Sequence, residues 1–523
     1  MRRSSATTSI CESWPRGPCH RLRGDPPDPL SGDDAAPDLR EATLTAVRWV
    51  SAARLVAESA AFAASLALAR LVPPAEFGRT VVALFLATVA QSLSSQGVGS
   101  FLVYEKHPDE AHRRAAMLLA LAVGVGGTAA SMVFAVTLAP PLFGDRVAEL
   151  LLLAAPVTFF SALVAVPMAD LQRRLAFRRI GAIDATVSVV APVASVAAAL
   201  AGLDGEAIIL APLVATGLAA AMTWASSRPP RPGWFPAEAK EIARYGAPAT
   251  GSSMLHLATR NADYVILAAW LPAAQVGYYF RAFTLAVDYQ TKISGILLRI
   301  AFPVLSRARD LEQLRRMRMR IVRTHASVLF PLLFALIPLA PTLVPFLYGD
   351  AWRPAVELTQ ILALGGVVAA VGTGIGPLLM ATGHTRILFS YNLMQLCIFV
   401  GAVLLTVPHG LLAVCWAVVA VRLVGWATVQ YTVVDRVVGI PFLASLRADV
   451  LPAFAASLCL LAATWPTVAL LDDRAPAIVV LGAGGLVGFA AYGLVLRLGF
   501  PATWGDLSAL LGRLAPRLPK RSR

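Results

Sequence analysis

Four ionisable residues lie where ionisable residues are expensive. Arg281, Asp288, Lys292 and Arg299 fall within one apolar stretch, about 276–303, at separations of 7, 4 and 7 residues. At about 100° per residue on an α-helix these positions share roughly 40° of arc, and the stripe runs about 27 Å along the axis. A charge near the bilayer centre costs about 2.5–3.5 kcal/mol on insertion scales, so such a stripe must face a wet cavity or a polar partner. The preceding apolar stretch adds Arg260 and Asp263, with His256 one turn below Arg260. These residues are the candidates to line such a cavity: Arg260, Arg281, Lys292 and Arg299 as its cations, and Glu58, Asp263 and Asp288 as its acidic groups. A second reading stays open, in which Arg281 and Arg299 reach out to the two interfaces, Asp288 pairs with Lys292 and Glu58 pairs with Arg54.

These residues need a membrane around them, and the composition supplies one. Hydrophobic residues make up 57% of the 523-residue chain and charged residues 15%, where a soluble domain carries about 25% charged residues to hydrate its surface; mean hydropathy is +0.67. From about residue 45 the chain reads as apolar stretches long enough to cross about 30 Å of hydrocarbon. The expected spans are 46–70, 79–103, 115–138, 147–170, 180–201, 206–225, 244–270, 276–303, 325–347, 355–381, 386–407, 411–434, 450–471 and 475–497. With a cytoplasmic N-terminus, the inside connections hold Arg113, Arg114, Arg173, Arg174 and a dense run from Arg307 to Arg323, while the outside ones hold only Arg70, Arg79, Arg146, Arg353 and Arg474. That bias supports an even count with both termini cytoplasmic. It also absorbs the net charge of +14 without any nucleic-acid partner.

Several functions are excluded by what the loops lack. Outside loops do not exceed about ten residues, and the inside connections near 226–243 and 305–324 are too short to fold alone. There is no G-x-x-x-x-G-K-[ST], no H-E-x-x-H and no C-x-x-C pair among the five cysteines, so neither a nucleotide site, a metal site nor a cofactor site is expected. Glycine clusters around Gly124, Gly372 and Gly484 lie inside apolar spans and read as close helix packing or hinges. Gln91, Ser92, Ser94, Ser95 and Gln96 form a polar run in the second span, read as interhelical hydrogen bonding or cavity lining, and Arg422 stands alone in the twelfth. Residues 1–44 are polar, with no apolar core of a signal peptide, and read as a disordered cytoplasmic tail. Trp504, Leu507, Leu511, Leu514 and Leu518 have amphipathic helical spacing beside Arg513, Arg517 and Lys520, as for a helix lying on the inner leaflet.

A faint repeat runs through this pattern. Pro73 and Gly78 follow the first span, and Pro272 and Gly277 follow the seventh with the same spacing. The expected fold is therefore all-α and polytopic, with about 14 transmembrane helices. Two parallel six-helix repeats form two lobes around a central cavity, and two extra helices follow. The expected organisation is a tail at 1–44, an N-terminal lobe at 45–225, a cytoplasmic linker at 226–243, a C-terminal lobe at 244–435, two additional helices at 436–498 and a basic amphipathic tail at 499–523.

Short blocks then carry a family resemblance: the 70–78 segment, Gly97-Val-Gly99-Ser100, Tyr245-Gly-Ala-Pro248, Arg260-Asn-Ala-Asp263, Gly277-Tyr-Tyr279 with Arg281-Ala282, and Phe302-Pro303 through Arg307. Over about residues 45–435 the chain resembles the polysaccharide (O-antigen and exopolysaccharide) flippases of the multidrug/oligosaccharidyl-lipid/polysaccharide exporter superfamily. The resemblance implies a carrier, not an enzyme, in the bacterial inner membrane. Such a carrier moves an undecaprenyl-pyrophosphate-linked oligosaccharide between leaflets by alternating access, amid membrane lipids and alongside a polysaccharide polymerase and glycosyltransferases. The resemblance makes Arg260, Arg281, Lys292 and Arg299 the cations for the pyrophosphate and Glu58, Asp263 and Asp288 charge partners or sites for a coupled ion. Two alternatives remain: a drug or metabolite antiporter of the same superfamily, and a membrane glycan polymerase or glycosyltransferase.

Overall fold

A backbone in hydrocarbon must satisfy its own N–H and C=O groups, and here it does so as helix. The computed structural model describes residues 57–523 apart from 106–107, 228, 299–300, 373, 437–438, 440 and 515–523, and every regular element among the described residues is helical. The elements are α1 (57–71), α2 (Pro74–Tyr104), α3 (Glu110–Thr137), α4 (Asp145–Arg173), α5 (Phe177–Leu200) and α6 (Gly205–Ser226). Next come α7 (Pro236–Trp270) and α8, built from Ala273–Phe283, a π-helical turn Thr284–Asp288 and Tyr289–Leu297. The rest are α9 (Leu311–Tyr348), α10 (Ala355–Ala381), α11 (Arg386–His409), α12 (Leu411–Asp435), α13 (Phe442–Leu471), α14 (Ala477–Gly499) and α15 (Pro501–Leu514).

Eleven of these, α2–α6 and α9–α14, are long and apolar enough to cross a membrane among the described residues. That is short of the fourteen expected. The helix α1 is described only from residue 57, and α7 and α8 carry charged and amide side chains at intramembrane depth.

The two ends of the bundle differ. At the end bearing Pro73 and Pro272, one apolar cluster runs through both halves of the chain. It joins Leu68 of α1, Phe77 of α2 and Leu150 of α4 to Leu267 of α7, Tyr279 of α8, Tyr348 of α9 and Val414 of α12. At the opposite end, where the basic residues lie, the apolar packing splits. Phe101, Met117 and Val166 form one cluster with Ile242 of α7, and Leu314, Leu378 and Val434 form another. The proline end is sealed across both halves, while the basic end is bridged chiefly by the start of α7.

Each half is pinned internally by charge. Arg146 of α4 reaches Glu76 of α2 at 3.1 Å, Glu149 at 3.0 Å and Glu206 of α6 at 2.6 Å. At the basic end Arg113 of α3 meets Asp170 of α4 at 2.5 Å, and Arg173 donates to the Leu102 and Glu105 carbonyls that end α2. In the second half Arg318 of α9, buried, meets Ser445 at 2.5 Å, Asp449 at 3.2 Å and Gln430 at 2.9 Å. The amphipathic segment does not lie free on a surface: Trp504 and Leu507 of α15 pack against the α9–α10–α13–α14 cluster, and Arg323 of α9 pairs with Asp506.

The halves touch at the two turns of the repeat. A Cβ on Gly78 would collide with the Ala273 carbonyl oxygen, and a Cβ on Gly277 with the Pro74 carbonyl oxygen. The contact is reciprocal: each helix start rests its backbone on the glycine of the other. Nearer the basic end, Gly97 and Gly246 face each other the same way, with Cβ positions 2.9 and 3.0 Å from the opposing Cα. Only glycine permits backbones this close. Gly277→Val is expected to lower stability by about 2 kcal/mol or more, read as thermal unfolding in detergent. Gly126→Val, at a position with nothing within 4 Å of the added Cβ, is expected to leave it unchanged. Equal stability of the two variants would contradict the close crossing.

Candidate functional site

The polar residues of α1, α7 and α8 enclose a cavity of about 490 Å³, within the ~300–1,000 Å³ usual for ligand sites. Its charged lining is Glu58 of α1 with Asp288 and Lys292 of α8, and Ser65, Asn261, Tyr264, Thr284, Tyr289 and Thr291 complete the polar wall. Lys292 Nζ lies 3.3 Å from Glu58 Oε2, with both side chains more than half exposed to the cavity, and 5.5 Å from the Tyr289 ring centre. This ion pair joins the two halves of the chain. Thr284 Oγ1 donates to Asp288 Oδ2 at a long 3.4 Å. Glu58 and Ala61 also line a smaller chamber of about 340 Å³, whose Val187 and Ala215 in turn border a third cavity of about 800 Å³ inside the first half.

The expected stripe on α8 does not hold together. Lys292 and Asp288 face the cavity, but Arg281 is 1% exposed and lies in the sealed proline end. The π-turn Thr284–Asp288 is the cause: it adds about one residue to the helix, which turns the remainder of α8 by roughly 100° relative to an unbroken α-helix. Arg281 therefore does not line the cavity with Lys292. Its Nη1 donates to Ser65 Oγ at 2.7 Å and its Nη2 to the Ser65 carbonyl at 3.0 Å. The guanidinium lies 4.1 Å from the centre of the Phe77 ring, 5.1 Å from Tyr348 and 5.7 Å from Trp352. Among the described residues no carboxylate pairs with it, and its Nε has no partner.

Asp263 also lies off the cavity. It is fully buried and accepts from the Tyr279 hydroxyl at 2.6 Å and from the Tyr264 N–H at 3.0 Å. Two of the motif blocks thus meet in one hydrogen bond that ties α7 to α8. Asp263, expected as a charge partner, forms no ion pair with Arg281, whose guanidinium bonds to Ser65 instead. The side chains of Arg260, His256, Ser94, Ser95 and Gln96 lie outside the described residues, as do Arg299 and Arg54. Pairing of Asp288 with Lys292 gives way to Glu58 with Lys292. Gln91 satisfies both of its readings: its amide donates to Ser161 Oγ at 2.5 Å, and it lines the cavity of about 800 Å³.

Sequence reasoning missed the ties that close the proline end. Trp352 Nε1 donates to the Ala69 carbonyl of α1 at 2.7 Å. Reciprocally, Arg70 of α1 donates to the Leu347 carbonyl of α9 at 3.0 Å and to that of Phe346. These carbonyls belong to last helical turns, which have no intrahelical partner. Each half caps a helix of the other. The only sequence signal was position: Arg70 and Trp352 flank short connections on the same side.

The model of the family described as polysaccharide biosynthesis protein matches residues 67–357, more than half of the chain. The chain belongs to the polysaccharide biosynthesis protein family. The resemblance carried by the motif blocks is borne out. The lipopolysaccharide biosynthesis protein WzxC of Escherichia coli (strain K12) is 27% identical over 376 residues, 70% of this chain and 75% of that protein. The succinoglycan biosynthesis transport protein ExoT of Rhizobium meliloti (strain 1021) is 27% identical over 402 residues, 75% of this chain and 80% of that one. Among solved structures, the lipid II flippase MurJ in an inward closed conformation aligns with a TM-score of 0.67 at 15% identity, covering 86% of this chain and 98% of that one. An inward-facing multidrug resistance MATE family transporter of the MOP superfamily aligns at 0.52 and 14%, covering 74% and 95%. At these identities the likeness is one of fold, and it makes this member of the family an all-helical, multi-pass membrane protein.

Arg281 and Lys292, expected to act alike, are placed to behave differently. Arg281→Ala removes two hydrogen bonds and empties a space between three rings, a loss of about 3 kcal/mol. Lys292→Gln alters a side chain more than half exposed and is expected to leave thermal stability and membrane level unchanged. Thermal unfolding of the two variants in detergent checks this; an unaltered Arg281→Ala protein would contradict the buried placement.

Proposed function

We propose that this protein is a carrier, not an enzyme, that moves an undecaprenyl-pyrophosphate-linked oligosaccharide from the cytoplasmic to the periplasmic leaflet of the bacterial inner membrane by alternating access. The observation that carries the reading is Lys292: an ammonium at intramembrane depth, open to a cavity and held by a carboxylate from the other half. A pyrophosphate entering the cavity competes for Lys292 with more charge than Glu58 offers. Glu58, once displaced, is a carboxylate in need of a cation or a proton, which gives it, with Asp288, the role of coupling site; Asp263 is the third candidate. Arg260 and Arg299 are further cations on the same two segments of sequence. The named activities of the relatives agree with this reading: ExoT is a biosynthesis transport protein, and MurJ is a lipid II flippase.

The internal pins and the ties between halves support a rocking motion. Within each half the pins are ion pairs, Arg318–Asp449 buried and the Arg113 and Arg146 pairs part-exposed. At the proline end the ties between halves are mainly hydrogen bonds to backbone carbonyls, which water replaces at a net cost of about 0.5–1.5 kcal/mol each. The seal at the proline end is thus of the kind that a wet surface can open. The positive-inside bias supports an orientation with the basic end and both termini towards the cytoplasm, and on that orientation the closed proline end is the periplasmic one. Outward movement of net negative charge is favoured by about 2.3 kcal/mol per charge per 100 mV, inside negative. A polymerase and glycosyltransferases are the partners such a carrier would feed and be fed by.

One observation favours a second reading, export of an organic cation in exchange for an ion. Among the described lining residues of the charged cavity, two carboxylates face one ammonium. Reconstituted vesicles separate the two. Translocation of undecaprenyl-pyrophosphate-linked glycan is expected with the native chain and to fall at least about tenfold with Lys292→Gln at equal protein level. Cation uptake with no lipid translocation would install the second reading instead.

A further inference from the structure

The largest of the three cavities, about 800 Å³, has no charged side chain among its described lining residues. Its walls come from α2, α4, α5 and α6, with Tyr245 of α7 closing one side. The polar groups it presents are Gln91, Ser100, Tyr104, Ser161, Gln172, Thr216 and Tyr245. All are amides or hydroxyls, able both to donate and to accept. Thr216 gives its proton to the Pro212 carbonyl of its own helix at 2.8 Å and so turns its lone pairs outward. Tyr104 and Tyr245 stack with ring centres 4.7 Å apart, and Tyr104 is 65% exposed, so its ring offers an apolar face with a polar tip.

We infer that this cavity is the glycan subsite, and that the sugars next to the pyrophosphate are uncharged. The inference rests on the function proposed above and gives the carried molecule a place for each part. A neutral sugar has hydroxyls that need amide and hydroxyl partners and C–H faces that rest on aromatic rings. It has no use for the Glu58–Lys292 pair. A pyrophosphate needs the opposite. The structure separates the two chemistries and joins them: the chamber of about 340 Å³ shares Glu58 with the charged cavity and Val187 and Ala215 with the uncharged one. A head group whose phosphates sit at Lys292 extends its sugars past Glu58 into the first half. Glu58 on that path repels an acidic sugar at the proximal position, and the uncharged wall beyond offers it no counter-charge.

The test uses the full chain in nanodiscs and measures affinity for defined lipids. The probes are undecaprenyl-pyrophosphate carrying a glucose–galactose disaccharide, the same lipid with glucuronate in place of the proximal glucose, and undecaprenyl-pyrophosphate without sugar. Native protein is expected to prefer the neutral disaccharide lipid to the glucuronate lipid. Gln172→Met with Thr216→Val is expected to weaken the neutral disaccharide lipid about tenfold, the fold-change of one or two lost hydrogen bonds. The same variant is expected to leave the sugar-free lipid unaffected, and Thr216→Ser to bind like native. Equal losses for glycosylated and bare lipid, or none, overturn the subsite, and tight glucuronate-lipid binding overturns the neutral class. The methyl glycoside of the disaccharide, free of lipid, separates this inference from the carrier reading. If it binds native protein and not the double variant while neither lipid binds, the subsite stands and the pyrophosphate reading falls.

Discussion

A guanidinium with no carboxylate among its described neighbours, in a part of the molecule surrounded by hydrocarbon, sets the conditions for everything around it. Arg281 is solvated by Ser65 and by three ring faces, and most of that shell belongs to other helices. Ser65 and Phe77 come from the first half, Tyr348 and Trp352 from the second. Taking a cation out of water costs several kcal/mol even after relaxation, so Arg281 is tolerable in this state only while the helix starts at Gly78 and Gly277 remain in contact. The same burial works against the seal, because water entering the proline end would hydrate the charge. Closure is therefore favoured by apolar burial and backbone fit and opposed by the desolvated cation. The alternating carrier proposed above would need such a gate to have two states close in free energy.

The distribution of charge sorts what moves from what does not. Arg146 with three glutamates, Arg113 with Asp170, and Arg318 with Asp449 each connect helices of one half. Of these only Arg318–Asp449 is out of water on both sides, where breaking the pair would strand the partner at a cost of about 3–5 kcal/mol. Glu58–Lys292 differs in joining the halves, and both its side chains are more than half exposed. In the carrier proposed above it is the pair that a ligand would break.

Much of this was legible in the chain. Apolar length located the helices, because each crossing demands about twenty residues whatever its neighbours do. The Pro73–Gly78 and Pro272–Gly277 turns announced a repeat, and they turned out to touch. The helical face of α8 escaped the sequence for a local reason: a wheel assumes constant pitch, and one π-turn between Arg281 and Asp288 breaks it. Asp263 drew a functional reading from its cost alone, whereas its partner, Tyr279, lies one short turn away and was visible only as part of a motif. The pairing of Glu58 with Lys292 joins residues 234 apart, and no spacing rule reaches that far. Nor does any pattern of residue types announce that Gln91, Gln172 and Thr216, on three helices, share a cavity.

The most direct measurement is the structure of the full chain bound to an undecaprenyl-pyrophosphate-linked glycan, determined in a lipid nanodisc. The account requires phosphate density within about 4 Å of Lys292 Nζ, Glu58 withdrawn from that nitrogen, and sugar density running past Val187 towards Tyr104. Phosphate density elsewhere, with Lys292 still on Glu58, would contradict it.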